Sequence, residues 1–506
     1  MRSKPLEGDS PLPKIVKHLR TVITVIRDVA KKPMGRTGLA IIAIYVIMAL
    51  AAPYITYNDP VRDLNLASDM AMPEWITLFP GYSNLPRNTI YRFEPTKWEL
   101  RDMRRGSAYE ISVDRGGDVL TIRLNSLENP MPGAPEQGEA LLNMEQGFEY
   151  IYSPPKSFIL TARINLTYTG PGERLRFTIY ISNGTNRYIL YDTGYIYSGS
   201  ISRWQNPLLI SSDFPQVKEL NNISIKENLA KIMFSNPGEY KIGLSIEILP
   251  EGAGEREARN LGSIAIGDVT LKIPGMVYGI LGTNYVGADV WSQFVWGIRQ
   301  SLLVGIIAST VSVVIGVLFG ILIGYLGRVL REMLLLLIDT IYLLPLLPII
   351  LVTLAVVGRN IYVVATLIGL LTWAGLSREL GNWMLSLRER TYVEAAKALG
   401  ASQLYVLLKH VLPFTVHLII FAFIIRIPFS ILLEAGLSII GFGDPFQPSW
   451  GKMINEALSG GALISGAWWW IAPPVIGLVS LSAGFVYLGY ALDEILNPRL
   501  REGRYG

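Results

Sequence analysis

The chain has 506 residues, of which 50% are hydrophobic and 17% are charged, against about 25% charged in an average soluble domain. Its mean hydropathy of +0.34 and its lack of cysteine exclude an ordinary soluble enzyme, a disulfide framework, a thiolate metal site and a cysteine nucleophile. A net charge of +4 is too small to favour nucleic-acid binding, and we expect no nucleic-acid partner.

The N-terminal segment, residues 1–37, carries nine Lys or Arg against three acids, so the positive-inside rule places it in the cytoplasm. Apolar residues recur in it at helical spacing opposite the basic side chains, and this predicts an amphipathic helix at the membrane interface: Ile15, Val16, Leu19, Val22, Ile23 and Ile26. Residues 38–54 contain no charge and predict the first transmembrane helix. A signal peptide is the competing interpretation, but no clear small-residue cleavage pattern follows.

Residues 55–278 are polar and contain 14 of the 25 tyrosines, with no run long enough to span a membrane. Segments of alternating apolar and polar residues, bounded by Gly, Pro and Asn, predict half-buried strands at residues 177–181, 240–249 and 263–273. We therefore expect an extracellular β-rich domain, with a β-sandwich as the natural architecture. Asn165, Asn183 and Asn222 begin Asn-x-Ser/Thr sequons and are candidate glycosylation sites, although chance matches are common.

The remainder, residues 279–498, predicts five further transmembrane helices at residues 301–326, 333–356, 361–377, 413–437 and 469–491. Together with the first helix these make six, an even number that returns the C-terminus to the cytoplasm. The tail, residues 499–506, is basic, with Arg499, Arg501 and Arg504, and the loops after the second and fourth spans are basic as well. The charge bias and the span count agree on a multi-pass membrane protein with both termini in the cytoplasm.

A polar loop, residues 388–410, interrupts the late spans. Thr391 and Glu394 have the spacing of a capping box that starts a helix, and Gly400 is suited to its C-terminal end. Alanines at positions 395, 396 and 398 keep that helix slim, which allows a partner to approach closely. Composition alone would also fit a simple interfacial turn.

The sequence of this loop resembles the EAA loop of ABC importer permeases, which docks into a groove of the ATPase subunit. The resemblance rests on the spacing of a short set of residues: Glu394, Ala395, Ala396, Gly400, Leu412 and Pro413. It assigns those six residues to ATPase coupling.

Three further stretches resemble the second permease subunit of dipeptide and oligopeptide importers, the DppC/OppC type. They are residues 281–305, residues 434–451 and residues 469–500, so the resemblance covers residues 281–501 together with the first span. Asn284 and Ala288 stand where the family usually has Asp and Arg, which puts any charge contact of those positions in doubt. Residues 55–278 are an insertion much larger than the usual loop.

The resemblance implies an all-α membrane domain of six transmembrane helices, the type I permease of an ABC importer, with the β-rich domain inserted. It implies a permease in the cell membrane that moves di- or oligopeptides into the cell and is not itself an enzyme. Its partners would be a homologous second permease (DppB/OppB-like), two ATPase subunits, an extracellular solute-binding protein and membrane lipid.

No cofactor is expected in this chain. Its sequence contains no Gly-x-x-x-x-Gly-Lys-Ser/Thr phosphate loop, so ATP and magnesium would be bound by the ATPase subunits. The three histidines do not stand with carboxylates at metal or triad spacing, and no metal or catalytic site is predicted.

Charged residues inside apolar segments are costly and usually face a partner or a water-filled cavity. Asp339, Arg426 and Glu434 are therefore candidates for the translocation path. Asp339 and Glu434 fit the family-like stretches and can equally hold the helices together. For Arg426 the hypothesis is that it attracts an anionic group of the substrate or pairs with Asp339.

Gly316, Gly320 and Gly324 form a stripe of small residues at four-residue spacing, which lets two helices approach closely in lipid. This stripe predicts helix packing rather than a ligand site.

Two other functions remain open. An importer of the same type that carries oligosaccharides is the nearer alternative, because the sequence contains no readable ligand pocket. A membrane receptor is the more distant one, and it would require a cytoplasmic signalling domain that the short loops do not provide.

Overall fold

The computed structural model of the chain describes residues 24–104, 109–127, 140–170, 173–250 and 259–496. Most of the predicted amphipathic helix and the tail, residues 499–506, lie outside these ranges. The chain divides into two compact units. One is helical and comprises the residues up to Asp63 and from Asp289 on; the other is β-rich and runs from Leu64 to Ala288.

The β-rich unit contains two antiparallel sheets, and its strands are β1 (Thr89–Phe93), β2 (Glu99–Arg104), β3 (Tyr109–Asp114), β4 (Val119–Ser126), β5 (Ala140–Tyr150), β6 (Ile159–Tyr168), β7 (Glu173–Ser182), β8 (Arg187–Asp192), β9 (Gly199–Ser202), β10 (Leu208–Ser211), β11 (Gly238–Pro250) and β12 (Arg259–Ile273). The first sheet has the order β10-β6-β12-β4-β3, with β1 paired to β12 and β9 paired to β6. The second has the order β2-β5-β11-β7-β8. Two short helices, α2 (Pro215–Leu220) and α3 (Leu229–Met233), complete the unit.

Buried apolar side chains at every second strand position form the core of this unit. On β11, four side chains at every second position are fully buried: Ile242, Leu244, Ile246 and Ile248. They belong to one buried cluster with side chains of β12 from the other sheet, so the two sheets enclose a common core. The prediction of a large β-rich domain is confirmed.

The buried positions of strand β12 change from even to odd residue numbers halfway along. Ile264 and Ile266 are buried in its first half, and Val269, Leu271 and Ile273 in its second half. The odd step between them coincides with a register shift between Gly267 and Thr270, where Asp268 adopts a φ of +48°. A bulge of one extra residue explains this, because it shifts the alternation by one position and so keeps the later apolar side chains on the core face.

The helical unit consists of α1 (Pro33–Ile55), α4 (Val290–Tyr325), α5 (Arg328–Tyr342), α6 (Leu346–Val357), α7 (Ile361–Arg388), α8 (Thr391–Ala398), α9 (Gln403–Val406), a π-helical segment (Leu407–Val411), α10 (Leu412–Ile439), α11 (Trp450–Ser459) and α12 (Trp468–Leu496). Within the described part of the chain, α1, α4, α7, α10 and α12 are each long and apolar enough to cross a membrane. Helices α5 and α6 meet that condition only as a pair. A count of five to six membrane-crossing helices follows.

The prediction of one uninterrupted helix over residues 333–356 is wrong. Helices α5 and α6 are separate and are bent by 74° relative to each other. Pro345 lies at the break and immediately precedes α6. Proline has no N–H to continue the hydrogen bonding of α5, and it disfavours helical geometry at the residue before it, so the chain turns here.

Helices α4 and α7 extend furthest beyond their predicted spans. Helix α4 begins at Val290, where the Asp289 carboxylate caps it by accepting from the N–H groups of Trp291 and Ser292 at 3.1 and 3.3 Å. Helix α7 continues to Arg388, beyond the predicted end at residue 377. Both extensions contain polar side chains, which a hydropathy criterion does not count as part of a span.

Candidate functional site

Helix α8 forms the centre of the loop that was predicted to couple to an ATPase. One of its faces is exposed, and the side chains there share a helical spacing of three and four residues: Thr391, Glu394, Ala395, Ala398 and Leu399. Leu399 is 89% exposed, so a large apolar side chain stands among polar ones on this surface. This face therefore combines one carboxylate, small alanines and an apolar side chain.

The opposite face of α8 is anchored to the membrane helices. Val393 is fully buried in a cluster with Met384 of α7 and Leu407 of the π-helical segment. Ala396 and Ile321 of α4 pack against the same cluster. Direct apolar contacts thus connect α8 to α4, α7 and the start of α10.

Gly400 ends α8 in the conformation that the sequence predicted. Its φ is +86°, a left-handed value that a residue with a β-carbon adopts at a cost. The N–H of Ala401 donates to the carbonyl of Ala396 at 3.2 Å, and the N–H of Leu399 donates to that of Ala395 at 3.1 Å. The first of these bonds is the 6→1 bond of a Schellman motif, so Gly400 fixes where α8 stops and the chain turns.

The start of α8 differs from the prediction. The helix begins at Thr391, so this residue lies within the first turn and is not the N-cap of a capping box. The N–H groups of Val393 and Glu394 donate to the carbonyl of Arg390 at 2.9 and 3.2 Å. Arg390 therefore precedes the helix, and Glu394 is free to face outward.

Leu412 and Pro413 join this loop to α10 through the π-helical segment. The N–H of Leu412 donates to the carbonyl of Leu407, five residues earlier. Pro413 has no N–H and its ring crowds the carbonyl four residues before it, so a wider turn relieves the conflict. Residues 403–439 consequently form one continuous helical rod with a π-helical turn near its start.

The glycine stripe of α4 packs against α7, as predicted. A β-carbon added at Gly316 would lie 2.9 Å from Leu376, one at Gly320 would lie 2.9 Å from Leu380, and one at Gly324 would lie 3.2 Å from Met384. The contacts advance by four residues on both helices, which is the signature of closely packed helices with small residues at the interface.

A cavity of about 490 Å³ lies where the bend between α5 and α6 faces α7 and α10. It is lined by Ile341, Tyr342, Leu344, Leu346, Ile349, Leu371, Thr372, Gly375, Glu379, Ile425, Arg426 and Phe429. The lining is mostly apolar and carries one side chain of each charge. This composition is typical of a pocket for a small ligand.

Arg426 is one of those two charges, but its partners are not the ones expected. Its Nε donates to Ser312 Oγ on α4 at 3.2 Å. Asp339 instead accepts from Arg378 Nη1 at 2.7 Å, so the alternative of an Arg426–Asp339 pair is wrong. The two arginines project from different helices, and only the packing of α5 on α7 decides which one reaches Asp339.

Glu434 is placed away from this cavity. Its side chain is 1% exposed and accepts from Ser438 Oγ at 2.6 Å. The Ser449 hydroxyl also hydrogen-bonds to it, while accepting from the N–H of Lys452 at 3.2 Å as the N-cap of α11. Glu434 therefore holds the loop before α11 to the end of α10.

Asn284 stands at the first of the two departures from the family pattern and organises a turn in the β-rich unit. It is 1% exposed, and its Oδ1 accepts from the N–H groups of Val286 and Ala288 at 3.0 and 2.9 Å. Ala288, at the other departure, is fully buried. An uncharged turn thus occupies the place of the expected charged pair.

The three sequons all lie in the β-rich unit. Asn165 is exposed on β6 and Asn222 is exposed just after α2. Asn183 follows β7, and its Oδ1 accepts from the N–H groups of Thr185 and Asn186 at 3.3 and 2.8 Å.

Sequence reasoning missed Glu379 and Arg378. Both lie on α7 beyond its predicted end at residue 377, so their position inside a long helix was hidden. No sequence signal marked the continuation of the helix, because Gly375 and Gly381 flank this point. Across residues 24–496, apart from the gaps given above, no group of three or more His, Asp or Glu side chains is arranged to hold a metal ion.

Comparison with known proteins matches the helical part of the chain to transport permeases. The family model of the binding-protein-dependent transport system inner membrane component matches residues 316–502, a range that does not include the β-rich unit. The dipeptide transport system permease protein DppC of Bacillus subtilis is 31% identical over 222 residues, 44% of this chain and 68% of that protein. A putative peptide permease of Brucella suis is 34% identical over 220 residues, 43% of this chain and 72% of that protein.

Among solved structures, the inward-facing MetNI methionine ABC transporter matches with 18% sequence identity and a TM-score of 0.32. The match covers 40% of this chain and 94% of that one.

Proposed function

The chain belongs to the binding-protein-dependent transport system inner membrane component family, as a permease of the peptide ABC importer group, and we propose from this that it carries di- and oligopeptides into the cell. The observation that carries the proposal is the exposed face of α8, with Glu394 and Ala395 directed outward and Val393 anchored inward. Relatives of this kind are transporter subunits and not enzymes. The proposed fold is that of a type I importer, with both termini in the cytoplasm.

The proposed mechanism starts at two ATPase subunits that bind ATP and magnesium. One of them receives the exposed face of α8, and its movement displaces that helix. Because Val393 packs against Met384 and Leu407, the displacement tilts α7 and the rod that begins at residue 403. Alternating exposure of the cavity at the bend of α5 and α6 follows from such a rigid-body tilt.

Arg426 is the proposed contact with the substrate on the translocation path. It is the one of the three charged candidates that lines the cavity. Asp339 and Glu434 are proposed to hold helices and loops together, through Arg378 and Ser438 respectively.

The β-rich unit is proposed to lie outside the cell and to form a docking surface or lid for a solute-binding protein. It connects α1 to α4, both long enough to span the membrane, and charge bias places the residues before α1 in the cytoplasm. Glycans at Asn165, Asn183 or Asn222 would fit that placement. Deleting residues 64–288 should reduce uptake while leaving the transporter assembled, and unchanged uptake would contradict the docking role.

The whole proposal is tested by purifying the native complex through a tag on this chain. We expect a second permease and ATPase subunits to copurify, and peptides to stimulate ATP hydrolysis in the presence of the solute-binding protein. Stimulation by oligosaccharides alone would move the assignment to the sugar-importing alternative. Recovery without any ATPase subunit would overturn it.

A further inference from the structure

Two side chains of opposite charge line the cavity at the bend of α5 and α6. Arg426 projects from α10 and Glu379 from α7. Both lie on the wall of one cavity, yet among the described residues they do not form an ion pair within 4.0 Å. The cavity therefore contains a separated positive and negative charge.

Neither charge is neutralised by another side chain in the described part of the protein. The guanidinium of Arg426 makes one hydrogen bond, from Nε to Ser312 Oγ at 3.2 Å, which leaves its two amino groups without a partner among the described residues. Arg378, the neighbour of Glu379 in sequence, is bonded to Asp339. Arg426 is partly buried among apolar helices, where a charge is costly unless something pairs with it, and Glu379 is exposed in the cavity wall, so both are available to an external partner.

The remaining walls favour a small organic molecule over a simple ion. Tyr342, Leu346 and Phe429 supply aromatic and aliphatic surface to the same cavity, and Thr372 adds a hydroxyl. The volume of about 490 Å³ falls within the range of about 300–1,000 Å³ of small-ligand pockets. A molecule that fits must carry an anionic group, a cationic group and an apolar body.

We propose that this cavity binds a short zwitterionic peptide by its two ends. The unbonded amino groups of Arg426 donate to the terminal carboxylate, for which a guanidinium offers a planar, two-pronged set of donors. Glu379 accepts from the terminal ammonium, and the apolar walls contact the side chains. This inference deepens the proposed function and rests on it, because it names the ends of the peptide as what the permease itself recognises.

The test measures uptake by the complete transporter in proteoliposomes, with one solute-binding protein throughout. A dipeptide with free ends is compared with its C-terminal amide and with its N-acetyl derivative. Because the binding protein is the same for every variant, any change in the preference ratios between variants originates in this chain.

We expect Arg426→Gln to lower the preference for the free carboxylate over the amide by about tenfold, which corresponds to the loss of one charge-assisted hydrogen bond. The preference for the free amine over the N-acetyl derivative should be preserved. Glu379→Gln should do the reverse. Arg328→Gln and Glu332→Gln are matched controls, since these two residues form an exposed ion pair at the start of α5, away from the cavity lining, and both ratios should stay at the wild-type values.

Ratios unchanged in both cavity variants would overturn the inference. If Arg426→Gln does not assemble, Arg426→Lys is the second variant, because it keeps the charge without the two-pronged geometry. It should still weaken the preference for the free carboxylate. Glu379→Gln independently tests recognition of the terminal ammonium. Failure of the wild-type transporter to take up any peptide would instead contradict the proposed function itself.

Discussion

Gly320 of α4 lies against Leu380 of α7 so closely that a β-carbon on the glycine would be 2.9 Å from the β-carbon of the leucine. A β-carbon cannot rotate away, so Gly320→Ala requires the helices to separate. We expect this substitution to lower the free energy of unfolding by about 1–3 kcal/mol. The melting temperature of the purified protein measures the change. Gly436→Ala is the matched control, because a β-carbon at that helical glycine meets nothing within 4 Å and should leave the melting temperature unchanged or raise it.

Gly400→Val should uncouple ATP hydrolysis from uptake. A left-handed φ costs a β-branched residue about 1–2 kcal/mol or more, so the end of α8 would be displaced. Gly400→Asn is the control, since asparagine tolerates this conformation. We expect fewer peptides transported per ATP in the valine variant and near-normal coupling in the asparagine variant. Equal loss in both would mean that the glycine is needed for space at an interface and not for its conformation.

Leu399→Asp should weaken the association of the ATPase subunits. The leucine is 89% exposed on the outward face of α8, and burying a charge in its place would cost about tenfold or more in affinity. Copurification of ATPase subunits at increasing dilution measures this loss. Ile464→Asp, at a residue 95% exposed in the loop before α12, is the control for general effects of a surface charge. Identical copurification of both variants would contradict docking on α8.

The double variant Asp339→Asn, Arg378→Gln should lose less folding stability than the sum of the losses in the two single variants. The two side chains form a hydrogen-bonded ion pair of 2.7 Å that is partly exposed, for which a coupling energy of about 0.2–1 kcal/mol is expected. Thermal unfolding of the wild type, both single variants and the double variant measures it. Strict additivity would show that the pair contributes no interaction energy.

The folding stability of the β-rich unit should depend on pH through the carboxyl group of Asp192. Its hydrogen bonds from the Arg176 guanidinium lower the pKa of this carboxyl below its usual value, and its side chain is 8% exposed. A lowered pKa in the folded state means that the stabilisation is present above the unfolded-state value of about 4 and is lost as the pH falls through the folded-state value. Asp192→Asn should therefore destabilise the unit at pH 7 and converge with the wild type under acid conditions.

Hydrogen exchange of β7 and β8 in the whole protein measures that difference. Asp213→Asn, at an exposed aspartate for which no ion pair is found among the described residues, is the control. A difference between Asp192→Asn and the wild type that persists unchanged at pH 3 would contradict the role of the charged carboxylate.

Much of the fold followed from local pattern. Uncharged apolar runs located the membrane helices, and alternation located β7, β11 and β12. The pattern did not reveal the bulge at Asp268, after which the buried side chains stand at odd instead of even residue numbers. It also failed where proline interrupts an apolar run, because hydropathy is unchanged across Pro345 while the helix axis turns by 74°.

For the loop that contains α8, the sequence predicted the residue at which the helix ends but not the residue at which it starts. Gly400 has a specific backbone requirement that sequence expresses directly. The Thr391 and Glu394 pattern has two readings, N-cap or first turn, which differ by one residue. Hydrogen bonding to the Arg390 carbonyl decided between them.

The sequence by itself determined the permease family, the membrane helices, the β-rich insertion and the glycine contacts of α4, because each depends on residue spacing along one segment. Only the tertiary structure decided which charges meet. Asp339 pairs with Arg378, and Arg426 shares a cavity with Glu379, because the rotation of each helix about its axis and its depth relative to its neighbours select the partner. Those two quantities are set by the packing of whole helices against each other, and no local pattern records them.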